Sequence, residues 1–202
     1  SVPGMGSIVT DLVLQGAGLR TSEVRYWAYP STAQAVAAIR SGQIDAVCAP
    51  DPLVTQLELR GEIRPVADTR NLRGTQEVFG VSSVPSACLL ATAEFLQRQP
   101  QQAQAMAHAV MHALKWLQTA SLRDILGTVP EAYLLGDRAL YLASFSRNRE
   151  AISPDGLFSA DGARQMALRM AEIDPFASSE PADWARLFTN DFTRRARERY
   201  PT

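Results

Sequence analysis

A chain of 202 residues with a formal net charge of −1 is long enough to bury a hydrophobic core and carries no overall charge that would attract nucleic acid or a membrane surface. Hydrophobic residues make up 46% of the chain and charged residues 20%, which is the composition of an ordinary globular protein. No apolar run approaches the roughly 18 residues of a membrane-spanning helix, and no signal peptide is recognisable.

The residues that could bind a metal are few and poorly arranged for it. Cys48 and Cys88 match no zinc-binding spacing, and their apolar surroundings favour two buried free thiols, although a single disulfide stays open. His108 and His112 lie four residues apart on a predicted helix, a spacing that can share a metal. They fall with Lys115 on the polar side of that helix, so we interpret them as part of a solvated face.

The chain opens on a glycine-rich turn, Gly4–Ser7, that leads into an apolar run predicted to be helical from Gly6 to Gly18. Ser7 is a favourable N-cap residue. The free N–H groups of a first helical turn, together with the helix dipole, attract anions. We therefore hypothesise that this turn holds the acidic end of a small ligand; the alternative is a turn that only starts a helix.

Predicted strands and helices alternate after this first helix. β-favouring segments bounded by turn-forming residues predict strands over 23–29, 43–49 and 63–67, and capping signals predict helices over 32–40 and 52–60. The polar, arginine-rich stretch 68–76 is predicted to be a loop. Alternation with short connections favours a mostly parallel α/β sheet.

The predicted elements bring several loops to one edge of the sheet. In an open parallel sheet, ligands bind outside the carboxyl ends of the strands. The turn Gly4–Ser7 and the loops Tyr29–Thr32 and Ala49–Pro52 each precede a helix N-terminus at that edge. No general acid or base accompanies them, so the site is predicted to bind rather than to catalyse. The predicted ligand-binding residues are Gly6, Ser7, Ile8, Tyr29, Ser31, Pro50, Asp51, Ser83 and Ser86.

The second part of the chain begins with an extended apolar stretch, 77–92, which Pro85 interrupts. A kinked connection of this kind is what two lobes would share as a hinge, with Ser83 and Ser86 facing the crevice. The remainder predicts helices over 93–99, 101–119, 121–126, 130–135, 137–147, 160–172 and 181–199. The buried stripe of the long helix is predicted to be Ala103, Met106, Ala107, Val110, Leu114 and Leu117.

Several short motifs recur, in this order, in a group of bacterial solute-binding proteins. They are Gly4–Ser7, Gly18-Leu19, Gly42–Ala46, Glu94–Leu96 before Pro100, Ala113–Trp116 and Thr189–Phe192. Through these motifs the chain resembles the solute-binding proteins of ABC importers for sulfonates, taurine, nitrate and thiamine-pyrimidine precursors.

The resemblance implies a type II periplasmic-binding-protein-like α/β fold, with two hinged lobes, parallel-rich sheets flanked by helices and a helical C-terminal half. Residues 1–76 would then be most of lobe two, and residues 77–202 the hinge return and the C-terminal part of lobe one. The resemblance also implies ligand contacts from the Gly6–Ser7 turn and the Pro50–Asp51 loop. Members of the group have roughly a further lobe's worth of chain before the Gly-Ser turn.

The function implied by the resemblance is capture of a small, anionic organic solute, without catalysis and without a cofactor. The expected partner is the membrane permease of an ABC importer, and the expected place is the periplasm or the extracytoplasmic face of the membrane, with no nucleic acid bound and no direct membrane insertion. Two alternatives stay open: a thiamine-pyrimidine biosynthetic enzyme on the same fold, and the effector-binding domain of a transcription regulator. The first would use a histidine- and cysteine-bearing active site, which this sequence supplies poorly.

Overall fold

The computed structural model describes residues 5–81, 83–134, 136–173 and 187–200, so that Gly4 and the first part of the predicted helix 181–199 lie outside the described residues. Helices dominate these ranges. The α-helices are α1 Met5–Gly16, α2 Thr32–Arg40, α3 Leu53–Leu59, α4 Leu72–Phe79, α5 Ala93–Arg98, α6 Pro100–Thr119, α7 Leu122–Thr128, α8 Arg138–Asn148, α9 Ala160–Ile173 and α10 Asp191–Arg199. Short 3-10 helices occur at Thr21–Glu23, Glu131–Tyr133 and Arg149–Ala151.

The predicted type II α/β fold with parallel-rich sheets is wrong for the described part of the chain, which contains no β-strand. The segments predicted as strands are largely irregular, and no backbone hydrogen bond joins one of them to another within the described ranges. A strand is stabilised by pairing and by packing against its neighbours rather than by propensity alone. The β-favouring side chains of Val24, Tyr26 and Trp27 are accordingly exposed.

Helices with clear capping signals are confirmed. α2 has the predicted bounds, and the Ser31 hydroxyl accepts a hydrogen bond from the Gln34 backbone N–H at 3.3 Å as its N-cap. α6 begins one residue earlier than predicted, with Pro100 in its first turn, where the missing N–H costs nothing. Gly18 and Gly61 follow α1 and α3 with φ of 74° and 67°, the left-handed conformation that ends a helix.

α4 is a helix where a loop was predicted. Asn71 caps it, its side-chain oxygen accepting a hydrogen bond from the Gly74 N–H at 2.8 Å. A Cβ atom at Gly74 would lie 1.7 Å from the Asp68 carbonyl oxygen, so only glycine permits this close approach. The polar, arginine-rich composition of the stretch concealed the cap from sequence reasoning.

Buried side chains form separate hydrophobic clusters that join helices distant in sequence. Leu12, Phe79 and Met166 join α1 to α4 and α9. A second cluster, Ala35, Leu53 and Leu57, joins α2 to α3. A third, Ala107, Met111 and Ala196, joins α6 to α10. α1 therefore packs against α9 from the second part of the chain and against α4 at the boundary of the two parts, while α2 and α3 form their own core.

The buried face of α6 is rotated from the predicted stripe. Met106 and Val110 are 51% and 40% exposed, whereas Met111 is 2% exposed. The residues that face α10 follow the i, i+4 spacing of Ala103, Ala107 and Met111. Many residues of α6 are apolar or small on more than one face of the helix, so the pattern of hydrophobic residues does not show which face is buried.

Candidate functional site

A cavity of about 360 Å³ lies between the loop Pro50–Pro52, just before α3, and the segment Tyr133–Asn148, which includes α8. This volume falls within the range of about 300–1,000 Å³ that is usual for small-molecule sites. Pro50 and Asp51, both predicted to bind ligand, line the cavity. Its walls thus come from the two parts of the chain that the sequence predicted to be separate lobes.

Asp51 is held by three different elements of the structure. Its Oδ1 accepts a hydrogen bond from the Thr55 backbone N–H of α3 at 2.8 Å, and its Oδ2 accepts one from the Asn148 amide of α8 at 2.5 Å. Nη1 of Arg70 lies 3.3 Å from Oδ2. Burial on its own would raise the pKa of Asp51, but hydrogen bonds from Thr55 and Asn148 and the charge of Arg70 outweigh it, so the pKa is lowered. Asp51 is therefore ionised, and its two carboxylate oxygens are both bonded to other parts of the structure.

Arg70 is the centre of a charged network behind the cavity. Its Nη2 lies 2.7 Å from Oδ2 of Asp68 and 2.9 Å from Oε2 of Glu58. Glu58 also pairs with Arg147 of α8. Hydrogen bonds from Arg70 lower the pKa of Asp68 in spite of its burial, and the same carboxylates raise the pKa of Arg70 above its usual range. The network fixes α3, the segment before α4 and α8 relative to one another.

Ser144, a residue of the cavity wall, has a buried hydroxyl with no hydrogen-bond partner in the described part of the chain. The residue is 8% exposed. Ser144 lies one helical turn before Asn148 on α8, and Asn148 Nδ2 also donates to the Ser144 carbonyl at 2.9 Å. A buried hydroxyl without a partner costs free energy.

Sequence reasoning missed the α8 wall of the cavity. Tyr141 and Phe145, like Ser144 and Asn148, are separated by four residues and therefore share a face of the helix. That spacing was available in the sequence, but nothing in it indicated that this face would meet the Pro50–Pro52 loop. The contact depends on the hydrogen bond from Asn148 to Asp51 and on the ion pair of Arg147 with Glu58, which join residues 97 and 89 positions apart in the chain.

Gly6 and Ser7, from the described part of the glycine-rich turn, do not line the cavity. α1 already includes Met5 and Gly6, so Ser7 stands in the first turn of the helix rather than at its N-cap. A Cβ atom at Gly6 would lie 3.8 Å from both the carbonyl oxygen and the Sγ of Cys48. Ile8 packs against the cluster of α1, α4 and α9. The first turn of α1 thus adjoins the segment that leads into Pro50.

The remaining predicted site residues are spread over other parts of the structure. Tyr29 packs against the core of α2 and α3, with its hydroxyl buried and without a hydrogen-bond partner in the described ranges. Ser31 caps α2. Ser83 and Ser86 are exposed, and the Ser83 carbonyl lies against Gly162 of α9. None of these side chains lines the cavity.

No cysteine or histidine of the described chain lines the cavity. Cys48 and Cys88 are free thiols, and both are exposed, contrary to the prediction that they would be buried. The rings of His108 and His112 lie 6.2 and 5.1 Å from the ring of Tyr200. Among the described residues, no group of His, Cys, Asp and Glu could hold a metal ion, and no helix is long and apolar enough to cross a membrane.

Comparisons with known proteins place the chain in a family. A solved structure of a protein from Bordetella bronchiseptica RB50 is similar over 100% of this chain, with a TM-score of 0.85 and 40% sequence identity. The chain spans 63% of the length of that protein. No curated protein matches the sequence. Residues 3–129 match the NMT1-like family. Since this match covers more than half of the sequence, the chain belongs to the NMT1-like family, a family of ABC-transporter substrate-binding proteins.

Proposed function

We propose that this chain is the substrate-binding component of an ABC importer, or part of it, and that it captures a small solute outside the cytoplasm for delivery to a membrane permease. Family membership supports the transport role. The observation that carries the proposal is the cavity between the Pro50–Pro52 loop and α8. A solute there would touch residues of both 1–76 and 77–202, so its binding would favour an arrangement in which these two proposed lobes close on it.

We place the anionic group of the solute at the first turn of α1. Gly6, Ser7 and Ile8 belong to that turn, whose leading N–H groups and dipole favour negative charge. The turn adjoins Cys48, two residues before Pro50, which supports a common site with the loop. A sulfonate, taurine or nitrate-like anion is the proposed substrate class. Tyr29, Ser31, Ser83 and Ser86 are proposed contacts of the closed form.

A binding role suits the cavity better than catalysis does. Asp51 is engaged by Thr55, Asn148 and Arg70, so it is not free to transfer a proton. Asp137, the other carboxylate of the wall, caps α8 by accepting a hydrogen bond from the Leu140 N–H at 2.9 Å. Both carboxylates therefore have a structural role, in which each accepts a hydrogen bond from a backbone N–H at the start of a helix.

The anion site is tested by calorimetric titration with ethanesulfonate, taurine and nitrate. We expect at least one of these anions to bind the wild type and to lose measurable binding in Ser7→Asp, because a carboxylate at the first turn repels the ligand and competes for its N–H groups. Gln15→Glu adds the same charge at an exposed position near the other end of α1 and should leave the affinity unchanged. Absence of binding by every anion, or unchanged affinity in Ser7→Asp with an unchanged urea midpoint, would contradict the proposal.

A further inference from the structure

Two polar contacts join α8 to the α3 side of the cavity. Nδ2 of Asn148 donates a hydrogen bond to Oδ2 of Asp51 at 2.5 Å, and Arg147 pairs with Glu58 of α3. None of the hydrophobic clusters found among the described residues includes a residue of α8. Parts of a protein that meet through polar contacts move relative to one another unless a large hydrophobic interface fixes them.

The acceptors on the α3 side are held in place without α8. Oδ1 of Asp51 accepts a hydrogen bond from the Thr55 N–H at 2.8 Å, and Arg70 lies 3.3 Å from Asp51 and 2.9 Å from Glu58. The core that α3 shares with α2 contains no described residue of 77–202. The two carboxylates are therefore preorganised to receive α8, and each keeps Arg70 as a partner when α8 is away.

The donors are consecutive residues at the C-terminal end of α8. The side chain of Arg147 is 37% exposed, so water can solvate the guanidinium when it leaves Glu58. Nδ2 of Asn148 also donates to the Ser144 carbonyl at 2.9 Å, one helical turn earlier, and this bond lies within α8. Separation of α8 from α3 therefore leaves no buried charge and no buried amide without a partner.

We propose that Arg147 and Asn148 are positioning residues, which form a latch that holds α8 against α3 and sets how often the cavity is closed. Asp51 and Asn148 line opposite walls of the cavity, so loss of their contact moves these walls apart. A solute that touches both walls binds the closed form, and its apparent affinity falls with the closed fraction. The latch rests on the binding role proposed above and adds the residues that control it.

Spin labels on the two sides of the latch measure its closed fraction in the absence of any solute. The labels are attached to Leu59→Cys on α3 and Ser146→Cys on α8, both exposed positions, in a chain that also carries Cys48→Ser and Cys88→Ser. Double electron–electron resonance should give one dominant short distance. The latch variant, Arg147→Met with Asn148→Ala, should raise the ratio of long to short distances at least about tenfold, since it removes two hydrogen bonds that involve charged groups.

Two further variants separate the latch from a general effect on α8. Arg138→Met removes an arginine of the same helix whose ion pair with Glu131 is exposed, and it should leave the distances unchanged. Arg147→Lys keeps the positive charge and should retain the short distance. Unchanged distances in the latch variant, or an equal shift in Arg138→Met, overturn the proposal.

Salt provides a second measurement that needs no latch variant and so covers the case in which that variant does not fold. Raising NaCl from about 0.01 to about 1 M shortens the Debye length from about 30 to about 3 Å. The labelled chain should then show more of the long distance, because the pair of Arg147 with Glu58 is partly exposed. A latch variant that fails to fold, together with distances that do not respond to salt, also overturns the proposal.

Binding is followed by native mass spectrometry of the small molecule that copurifies with the protein. Arg147 does not line the cavity, so a lower bound fraction in Arg147→Met than in Arg138→Met reports the latch and not a lost solute contact. The latch and the proposed function fail separately. Distances that shift as expected in a protein without any solute support the latch and contradict the proposed function. A bound solute with unchanged distances overturns the latch alone.

Discussion

Nη1 of Arg70 lies 3.3 Å from Oδ2 of Asp51, and this ion pair joins the segment before α4 to the loop at which α3 begins. The side chains of Arg70 and Asp51 are 12% and 9% exposed. Arg70 also contacts Asp68 and Glu58, and of these three carboxylates only Glu58 forms an ion pair with a second described cation, Arg147. The position of the Pro50–Pro52 wall therefore depends on Arg70.

Arg70→Met should strongly destabilise the protein, because the change removes the cation from the part-buried carboxylates of Asp51 and Asp68. We expect a loss of about 3–5 kcal/mol in the free energy of unfolding. Arg73→Met removes an arginine whose ion pair with Glu77 is exposed and should cost less than about 0.5 kcal/mol. Urea unfolding followed by circular dichroism measures both, and equal effects of the two substitutions would show that the Arg70 network does not hold the fold together.

The same network predicts how stability depends on pH. The pKa values of Asp51 and Asp68 are lower in the folded protein than in the unfolded chain, where aspartate titrates near about 3.9. Their contribution to stability is complete above that value and is lost as pH falls through the folded pKa values. The free energy of unfolding should thus decrease below about pH 4.

Urea unfolding in steps from pH 7 to pH 2.5 checks this dependence. Asp68→Asn should lower stability at pH 7 and make the acid decrease shallower, since one of the depressed carboxylates is gone. A wild type whose stability rises between pH 5 and pH 3 would contradict the assignment.

Gly162 in α9 packs against the backbone of the segment that we proposed as a hinge. A Cβ atom at Gly162 would lie 1.9 Å from the Ser83 carbonyl oxygen, so Gly162→Ala should destabilise the protein by about 1–3 kcal/mol. Gly127→Ala is the matched control: it lies in α7 with nothing within 4 Å of the added atom, and should stabilise by about 0.5–1 kcal/mol. Thermal unfolding of both variants gives the comparison, and a neutral Gly162→Ala would mean that α9 is not in close contact with Ser83.

A pair of methionines tests which face of α6 is buried. Met111 is 2% exposed in the cluster with Ala107 and Ala196, so Met111→Ala should cost about 2–5 kcal/mol. Met106 is 51% exposed, and Met106→Ala should change stability by less than about 0.5 kcal/mol. A lower urea midpoint for Met106→Ala than for Met111→Ala would contradict this prediction and would support the buried face that hydrophobicity predicted for α6.

Local signals predicted much of the helical structure. Ser31 fixed the start of α2, and Gly18 and Gly61 stop their helices through backbone conformations that other residues adopt at a cost. These features depend on a few neighbouring residues, which is why the sequence alone revealed them. Asn71 is equally local, but the polar, arginine-rich stretch around it favours a loop, and this hides the cap.

Features that depend on distant residues were not predictable in the same way. Strand pairing was inferred from residues such as Val24 and Trp27, whose propensity does not reveal whether a neighbouring strand is present. One wall of the cavity was predictable, because Pro50 and Asp51 follow from helix-start signals. The other was not, because Asn148 reaches Asp51 through a hydrogen bond between residues 97 positions apart, and Ser144 lies on the same helix. Family resemblance indicated a binding protein and the Pro50–Asp51 loop, but not the residues of the α8 wall.

The central claim is that a small solute occupies the cavity between the Pro50–Pro52 loop and α8. Native mass spectrometry of the protein purified from its own host tests it most directly, using wild type, Ser144→Phe and Ser146→Phe. Ser144 lines the cavity and Ser146 is exposed on the same helix, so only the first phenylalanine would fill the space. We predict that wild type and Ser146→Phe carry the same small-molecule mass and that Ser144→Phe, with circular dichroism unchanged, has lost it. A wild type without a bound small molecule, or equal retention in Ser144→Phe, would contradict the account.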